Sequence, residues 1–585
     1  MSLITQVLVW IWFKLFRGAF MLLNSFRKHV TVQPVDNDIL LQSASILALK
    51  IRSQELTSEE IVSAYIERIK QLNSQLNAMV EDRFTKALQE ARQVDETIAN
   101  RSAKSVAECP LLGVPFTLKD CIFVAGMKCT AGIYCRRNTR VTEDADVVKH
   151  MKRAGAICLA ITNVSEVCMW WESNNGIYGR TRNPYDTRRI VGGSSGGEGC
   201  LLAAGGSVVG LGSDIGGSIR MPAFFNGVFG HKPSKCVVSD VGTYPHSYGY
   251  QKQMHTAGPM CRYACDLLPM LKVLVGPEQS KCLNLETPVE IKRLKFYYME
   301  QITMPYVFPV EPEIRNALLR VVQYIETVIG VEVIRVDLPG AHLTLEMWLN
   351  DMDEPSCPAF SREILDNRGD CNPFLETLKI AVGKSPHTLP ATGLALFERL
   401  QHRIIGKTNG KYSAKIKAER EKLERQMTTL LENGVLFFPP HPTTALYHNE
   451  SACMPFNAVY TALFNTCSLP VTQVPLGLST TEGLPLGVQV VSAHGNDRIT
   501  IAVAQMLETA FGGWVNPGWN SLDATDPIRW FLTILISGEL YSVVSGRSRV
   551  VFVLVVRLSL ETNLQRRVAG TPCRWLMGRD GATGY

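Results

Sequence analysis

The stretch GGSSGGEGCLLAAGGSVVGLGSDIGGSIRMPA, residues 192–223, decides the fold class. Its residues 196–205 have helical texture, and residues 208–211 form a short apolar run that reads as a strand. A glycine turn follows, and a second helix can begin at Ser218. Helix, strand and helix in one short stretch indicate an α/β fold. The same alternation continues outward. Residues 111–118 read as a buried strand, 146–153 as a helix stopped by Gly155, and 156–161 as another strand. The expectation is a large mixed β-sheet covered by helices on both faces.

Further upstream, Thr57 and Glu60 make a capping box, and Ile61, Tyr65, Ile69 and Leu72 line one helical face. A second helical stretch runs near residues 82–99. Downstream, residues 310–435 read as an inserted helical region, densest in charge over 412–431. The α/β texture returns over 469–491, and a helix at 499–510 closes the domain near Trp514. Residues 521–585 differ, with eight arginines and no lysine, and are taken as an appended tail. The expected organisation is an anchor over 1–30, a catalytic domain over 31–520 and the tail.

The bulk composition suits a globular chain with a large core: of 585 residues, 46% are hydrophobic and 19% charged. A net charge of +6, spread over 60 basic and 54 acidic residues without a basic stripe, argues against nucleic-acid binding. The 16 cysteines hold no CxxC pair, so zinc ribbons and thioredoxin-like motifs are not expected. Most read as reduced core thiols.

Residues 3–22, LITQVLVWIWFKLFRGAFML, match a bilayer span in length. Lys14 and Arg17 inside it cost roughly 2.5–3.5 kcal/mol each at a helix centre. The reading is an N-terminal membrane anchor, single-pass or interfacial, with its cations snorkelling. A cleaved signal peptide fits less well, because Arg27, Lys28 and His29 follow instead of a small-residue site.

The chemistry concentrates in three pieces: GVPFTLKD, ending at Asp120; GGSSGGEG at 192–199; and GSDIGGSIRMPA at 212–223. Paired glycines let the backbone amides of Ile215, Gly216, Gly217 and Ser218 converge on one point, as in an oxyanion hole. Ser218 then stands beside those donors as a nucleophile; its ordinary alternative is a helix N-cap. A serine hydroxyl needs a base. Lys119, desolvated, can serve, with Ser194 relaying the proton. The GxSxG matches within GGSSGG also suggest a nucleophile elbow. However, residues 183–189 are not a buried strand, and neither His231 nor His494 is selected as its base.

These residues resemble the amidase signature family, over about residues 40–517. The resemblance rests on GGSSGGEG followed by GSDIGGSIRMPAFFNGVFGHKPS. It implies the amidase signature fold and a triad of Lys119, a cis-peptide Ser194 and nucleophilic Ser218. It also implies an oxyanion hole from Ile215 to Ser218, a supporting hydroxyl on Ser195 and a structural Arg220. CMWWESNNGIYGRTRNPYD and AVAQMLETAFGGWVNPG are similar to members that hydrolyse fatty-acid amides. The substrates implied are N-acylethanolamines and primary fatty amides, with Met169 and Trp170 as candidate acyl contacts and Trp171 beside them. Ser468 stands where the family usually has glycine. No metal or organic cofactor is expected. The expected partners are the lipid amide, the membrane and a second copy in a homodimer. Two other functions fit the signature: the amidase subunit of a tRNA-dependent amidotransferase, and a non-catalytic lipid-binding scaffold.

Overall fold

Ile157–Thr162 is buried at all six positions, as is Val209–Asp214, and they are the second and fourth strands from one edge of a large sheet. Strands buried along their whole length have no solvent face, so they need cover on both sides. The computed structural model describes residues 3–100, 109–404 and 410–518. The arginine-rich segment 521–585 lies outside them.

Eleven strands form the sheet: β1 Met79–Asp82, β2 Pro115–Lys119, β3 Ile157–Thr162, β4 Val209–Asp214, β5 Phe229–Lys232, β6 Thr256–Cys261, β7 Lys295–Tyr298, β8 Val333–Arg335, β9 Gly434–Phe438, β10 Val471–Leu478 and β11 Pro485–Val491. Their spatial order is β1-β3-β2-β4-β6-β5-β10-β11-β9-β7-β8. β3, β2 and β4 run parallel, as do β9, β7 and β8; the remaining neighbours are antiparallel. The mixed sheet expected from the sequence is therefore present.

The helices follow their sequence signals closely. The capping box of Thr57 and Glu60 opens Ser58–Leu76, whose Ile61, Tyr65, Ile69 and Leu72 are buried. Asp146–Arg153 is a helix as read, and Gly155 follows it at φ +88°. Strand limits shift by a few residues: 111–118 becomes Pro115–Lys119, and 208–211 extends to Asp214. Tertiary pairing sets those ends, which local texture does not register. The inserted region is mainly helical, but it also carries the short edge strand β8, which pairs in parallel with β7.

The N-terminal segment is a helix, Leu3–Ser25. Among the described residues, no helix is long and apolar enough to cross a membrane, which corrects the spanning reading. The physical reason lies in the helix itself. Arg17 is buried against the protein in an ion pair with Glu311 at 2.9 Å, and Phe13 packs edge-on against Phe308. A face that pairs a buried cation with the body cannot also face lipid tails. Trp12, Leu15, Met21, Leu22, Leu23 and Phe26 remain exposed.

Candidate active site

Lys119 ends β2, and its position follows from strand register. β2 pairs in parallel with β4 so that Leu118 faces Leu211, which brings Lys119 beside the end of β4. Lys119 is 1% exposed. Nζ donates to Ser194 Oγ at 2.6 Å, to Ser213 Oγ at 2.8 Å and to the Ser213 carbonyl at 3.3 Å. Two hydroxyls and a carbonyl thus replace water around a buried amine, as a satisfied polar group requires.

The loop carrying Ser194 approaches the turn after β4 very closely. Gly193 has φ +46°, and a Cβ there would lie 2.6 Å from Pro222 Cδ and 3.0 Å from Ser218 Cα. Only glycine lets this loop seat against Ser218. In that position Ser194 N donates to Ser218 Oγ at 3.1 Å, and Ser195 N donates to the Ser218 carbonyl at 3.3 Å. Ser195 Oγ bridges the Ser213 amide and carbonyl, both at 3.3 Å, so its hydroxyl supports β4. No hydrogen bond joins the Ser194 and Ser218 hydroxyls among the described residues, so a relay requires the Ser218 hydroxyl to turn from the Ser194 amide to its side chain.

The cis bond expected at Ser194 is absent: among the described residues the cis peptide is Tyr244–Pro245. Gly192 at φ +77° and Gly193 provide the reversal that seats Ser194, with trans bonds on either side.

The glycine turn is held from beneath by Asp214. Its carboxylate accepts from the amides of Gly217 at 2.8 Å and Ile219 at 3.0 Å, and it pairs with Arg220 at 3.0 Å. Arg220 Nη1 also donates to the Thr461 carbonyl at 2.8 Å and to Gln489 Oε1 at 2.9 Å. Burial opposes the Asp214 charge, but Arg220 and Asn465 more than offset it and hold the carboxyl well below its usual range. Arg220 is thus the structural cation that the family resemblance implied. Because Gly217 donates to Asp214, its amide is committed to the turn. The amides of Ile215, Gly216 and Ser218 have no acceptor among the described residues and so remain available as donors. Trp348 Nε1 donates to the Ile215 carbonyl at 3.0 Å and Thr461 Oγ1 to the Gly216 carbonyl at 2.7 Å, fixing the peptide planes.

Lys119, Ser194, Ser213, Ile215 and Ser218 open onto a cavity of about 290 Å³. Met169 lines it. Trp170 does not: its Nε1 donates to Ser451 Oγ at 3.0 Å, and Trp171 is buried against the His441 ring. The opposite wall comes from the inserted helical region, through Trp348, Leu349, Met352, Phe360, Leu394 and Phe397. His255 also lines the cavity; burial, aided by the Lys119 charge, lowers its imidazole to about 4 and keeps it neutral.

The nucleophile-elbow reading fails on geometry. Ser195 precedes the helix Gly196–Ala203, and no strand leads into it. His231 is buried between Thr472 and Asp497, and no described histidine bonds to Ser194, Ser195 or Ser218. Sequence reading missed Ser213, Asp214, Trp348 and Thr461. Of these, Asp214 carried a signal, a carboxylate opening the glycine turn six residues before an arginine.

The amidase family model matches residues 60–501, and the chain belongs to this family. Among curated relatives, fatty-acid amide hydrolase 2-A of Danio rerio is 46% identical over 525 residues, covering 88% of this chain and 96% of that one. Fatty-acid amide hydrolase 2 of Homo sapiens is 45% identical over 499 residues, covering 83% of this chain and 92% of that one. A solved structure described as fatty acid amide hydrolase superposes with TM-score 0.65 at 20% identity, over 81% of this chain and 86% of that one, which shows the shared fold.

Proposed function

We propose that the chain is a membrane-associated serine hydrolase that cleaves fatty-acid amides, N-acylethanolamines and primary amides among them, to fatty acid and amine. The observation that carries this reading is the buried Lys119–Ser194 contact of 2.6 Å, with the Ser194 amide 3.1 Å from Ser218 Oγ. The identity to the two fatty-acid amide hydrolases supports the substrate class. So does the apolar wall of Trp348, Leu349, Met352, Phe360, Leu394 and Phe397, which suits an acyl chain.

Lys119, acting as the base, takes a proton from Ser194, which takes that of Ser218. Ser218 Oγ adds to the amide carbonyl, and the amides of Ile215, Gly216 and Ser218 receive the oxyanion. Losing one such donor typically costs about 10²–10³ in rate. The relay then returns the proton to the leaving nitrogen, which departs poorly as an anion. Water, activated through the same groups, releases the fatty acid from Ser218.

Hydrolysis of N-oleoylethanolamide by the wild type and its loss in Ser218→Ala test this reading. Lys119→Ala must impair amide cleavage more than cleavage of the matching ester, because an alkoxide needs less help to leave. Equal losses on both substrates would remove the leaving-group role of Lys119. Turnover of glutaminyl amides, and not of fatty amides, would favour the amidotransferase-subunit reading.

Membrane association is interfacial in this account. The exposed Trp12, Leu15, Met21, Leu22 and Leu23 of the N-terminal helix, with Phe26 just beyond it, support it. Exposed Phe374, Leu375 and Leu378 on Pro373–Ala381, and Leu389 and Leu400 on Leu389–Ile404, add a second apolar surface. The latter helix also carries the cavity residues Leu394 and Phe397.

A further inference from the structure

Glu166 is a buried carboxylate that the hydrolytic cycle does not use. It follows β3 and is 2% exposed, and a carboxylate so placed needs partners for both oxygens. It finds them in one short segment far along the chain. His387 Nδ1 lies 2.7 Å from Glu166 Oε1, and the Thr388 amide and hydroxyl donate to Oε2 at 2.7 Å and 2.9 Å. Thr388 opens the helix Leu389–Ile404: its carbonyl accepts from the Thr392 amide at 3.1 Å, and its hydroxyl accepts from the Ala391 amide at 3.4 Å. The Glu166 carboxylate therefore sits at the positive end of that helix. A second contact docks the same segment, since a Cβ on Gly176 would run into the Pro386 carbonyl.

The two sides of this clasp carry two walls of the catalytic cavity. Directly after Glu166 come Val167, Cys168 and Met169, which line it. On the helix, Leu394, Phe397 and Gln401 line it from one face, spaced by three and four residues. Both walls depend on outside support. Val167 and Cys168 take φ of +59° and +54°, a conformation that non-glycine residues keep where their surroundings fix it. The helix buries the small Ala391, Thr392 and Ala395, while its larger Leu389, Phe397 and Leu400 are exposed. Apolar burial therefore contributes little to its position, and polar ties set it. Glu398 accepts from the Phe360 amide at 2.9 Å and Arg399 donates to the Cys371 carbonyl at 2.8 Å, both within the inserted region. Glu166 ties the helix to the segment that leaves β3.

We propose that Glu166 is a positioning residue for acyl-chain recognition. By clasping His387 and Thr388 it holds the helix wall at a fixed distance from the Val167–Met169 wall, and the space between them receives the acyl chain. This role rests on the fatty-amide reading, which supplies the chain. Opening the clasp leaves Lys119, Ser194 and Ser218 in place, because their contacts run through β2, β4 and the glycine loop. It frees the helix, so a long chain must order its own wall on binding, which weakens binding and not the chemical step.

The test compares the full-length wild type and variants on N-oleoylethanolamide and N-butanoylethanolamide, which share a leaving amine and differ in acyl length. In Glu166→Ala, KM for N-oleoylethanolamide should rise about tenfold, with kcat changed far less and KM for N-butanoylethanolamide nearly unchanged. His387→Ala should shift the same KM in the same direction from the other side of the clasp, and the double variant should add little to Glu166→Ala alone. Glu166→Gln keeps an oxygen for Thr388 and should recover part of the loss. Fluorophosphonate labelling of Ser218 checks that each variant is folded; should Glu166→Ala fail that check, His387→Ala decides. A wild-type KM for N-oleoylethanolamide in the folded variants, or equal losses on both substrates, overturns the proposal alone. A wild type that does not favour the oleoyl amide overturns the fatty-amide reading and the proposal with it.

Discussion

Gly217→Ala probes the oxyanion turn at its tightest point. Gly217 has φ +126°, and a Cβ there would meet Thr461 Oγ1 at 2.0 Å and Thr461 Cβ at 2.5 Å. Ordinary contact begins near 3.4 Å, so the turn or Thr461 must move by about 1.4 Å (3.4 − 2.0). Thr461 cannot yield freely, because its one hydroxyl proton is held between the Gly216 carbonyl at 2.7 Å and the Ala458 carbonyl at 3.0 Å. The displacement therefore falls on the Gly216 and Ser218 amides. A misplacement of about 1 Å in a catalytic group costs about 10²-fold in rate. The expectation for Gly217→Ala is a fall in kcat of about that size, with KM for N-oleoylethanolamide changed far less, since the acyl wall is elsewhere. Single-turnover kinetics measure the acylation step, and thermal unfolding checks that the fold survives. A variant that folds normally and acylates at the wild-type rate would refute the assignment of this turn as the oxyanion hole.

Three further outcomes follow from other parts of the molecule. Ser468 has φ +55°, a left-handed conformation that glycine adopts without strain, so Ser468→Gly should raise stability by about 0.5–1 kcal/mol in denaturant melts; destabilisation would show that its hydroxyl matters more than its backbone. Burial raises the Glu198 carboxyl from 4.5 to about 8, against hydrogen bonds from Thr117 and Thr162, so the folded state holds its proton after the unfolded chain has lost it. That contribution is complete below pH 4.5 and declines as pH rises towards 8; Glu198→Gln should flatten this part of the Tm profile, by roughly 1–3 kcal/mol between pH 5.5 and 7.5, and an unchanged profile would place the titration elsewhere. Removing residues 1–29 should shift the protein from membrane to soluble fractions with Ser218 still labelled; monodisperse protein that continues to bind vesicles would assign lipid binding to the helices Pro373–Ala381 and Leu389–Ile404.

The α/β class was readable in the sequence because the short apolar runs 111–118, 156–161 and 208–211 alternate with helices that carry their own start and stop signals. Thr57 with Glu60, and Gly155 after Arg153, are local devices that act the same way in sequence and in space. That Lys119, Ser194 and Ser218 lie around one cavity was legible for a different reason: a lysine at a strand end, a serine pair and a serine after paired glycines follow one another in the order of the amidase signature. What escaped was set by tertiary contact. Ser213 bonds Lys119 because β2 and β4 lie in one register, and no local pattern reports that pairing. The Gly217 amide was assigned to the hole, but Asp214 folds back to take it. Met169 and Trp170 were read as candidate acyl contacts because they follow a strand, and sequence could not show that the Trp170 indole nitrogen is turned to Ser451, 281 residues on. The spanning helix was misread because hydropathy along a segment cannot show that Arg17 has a partner in Glu311.

The most direct test of the account is to label the wild-type protein with a fluorophosphonate probe and map the modified residue by mass spectrometry. The account predicts a single adduct on Ser218, lost in Ser218→Ala and slowed in Lys119→Ala. An adduct on Ser194 or Ser195, or none on well-folded protein that still hydrolyses a fatty amide, would contradict it.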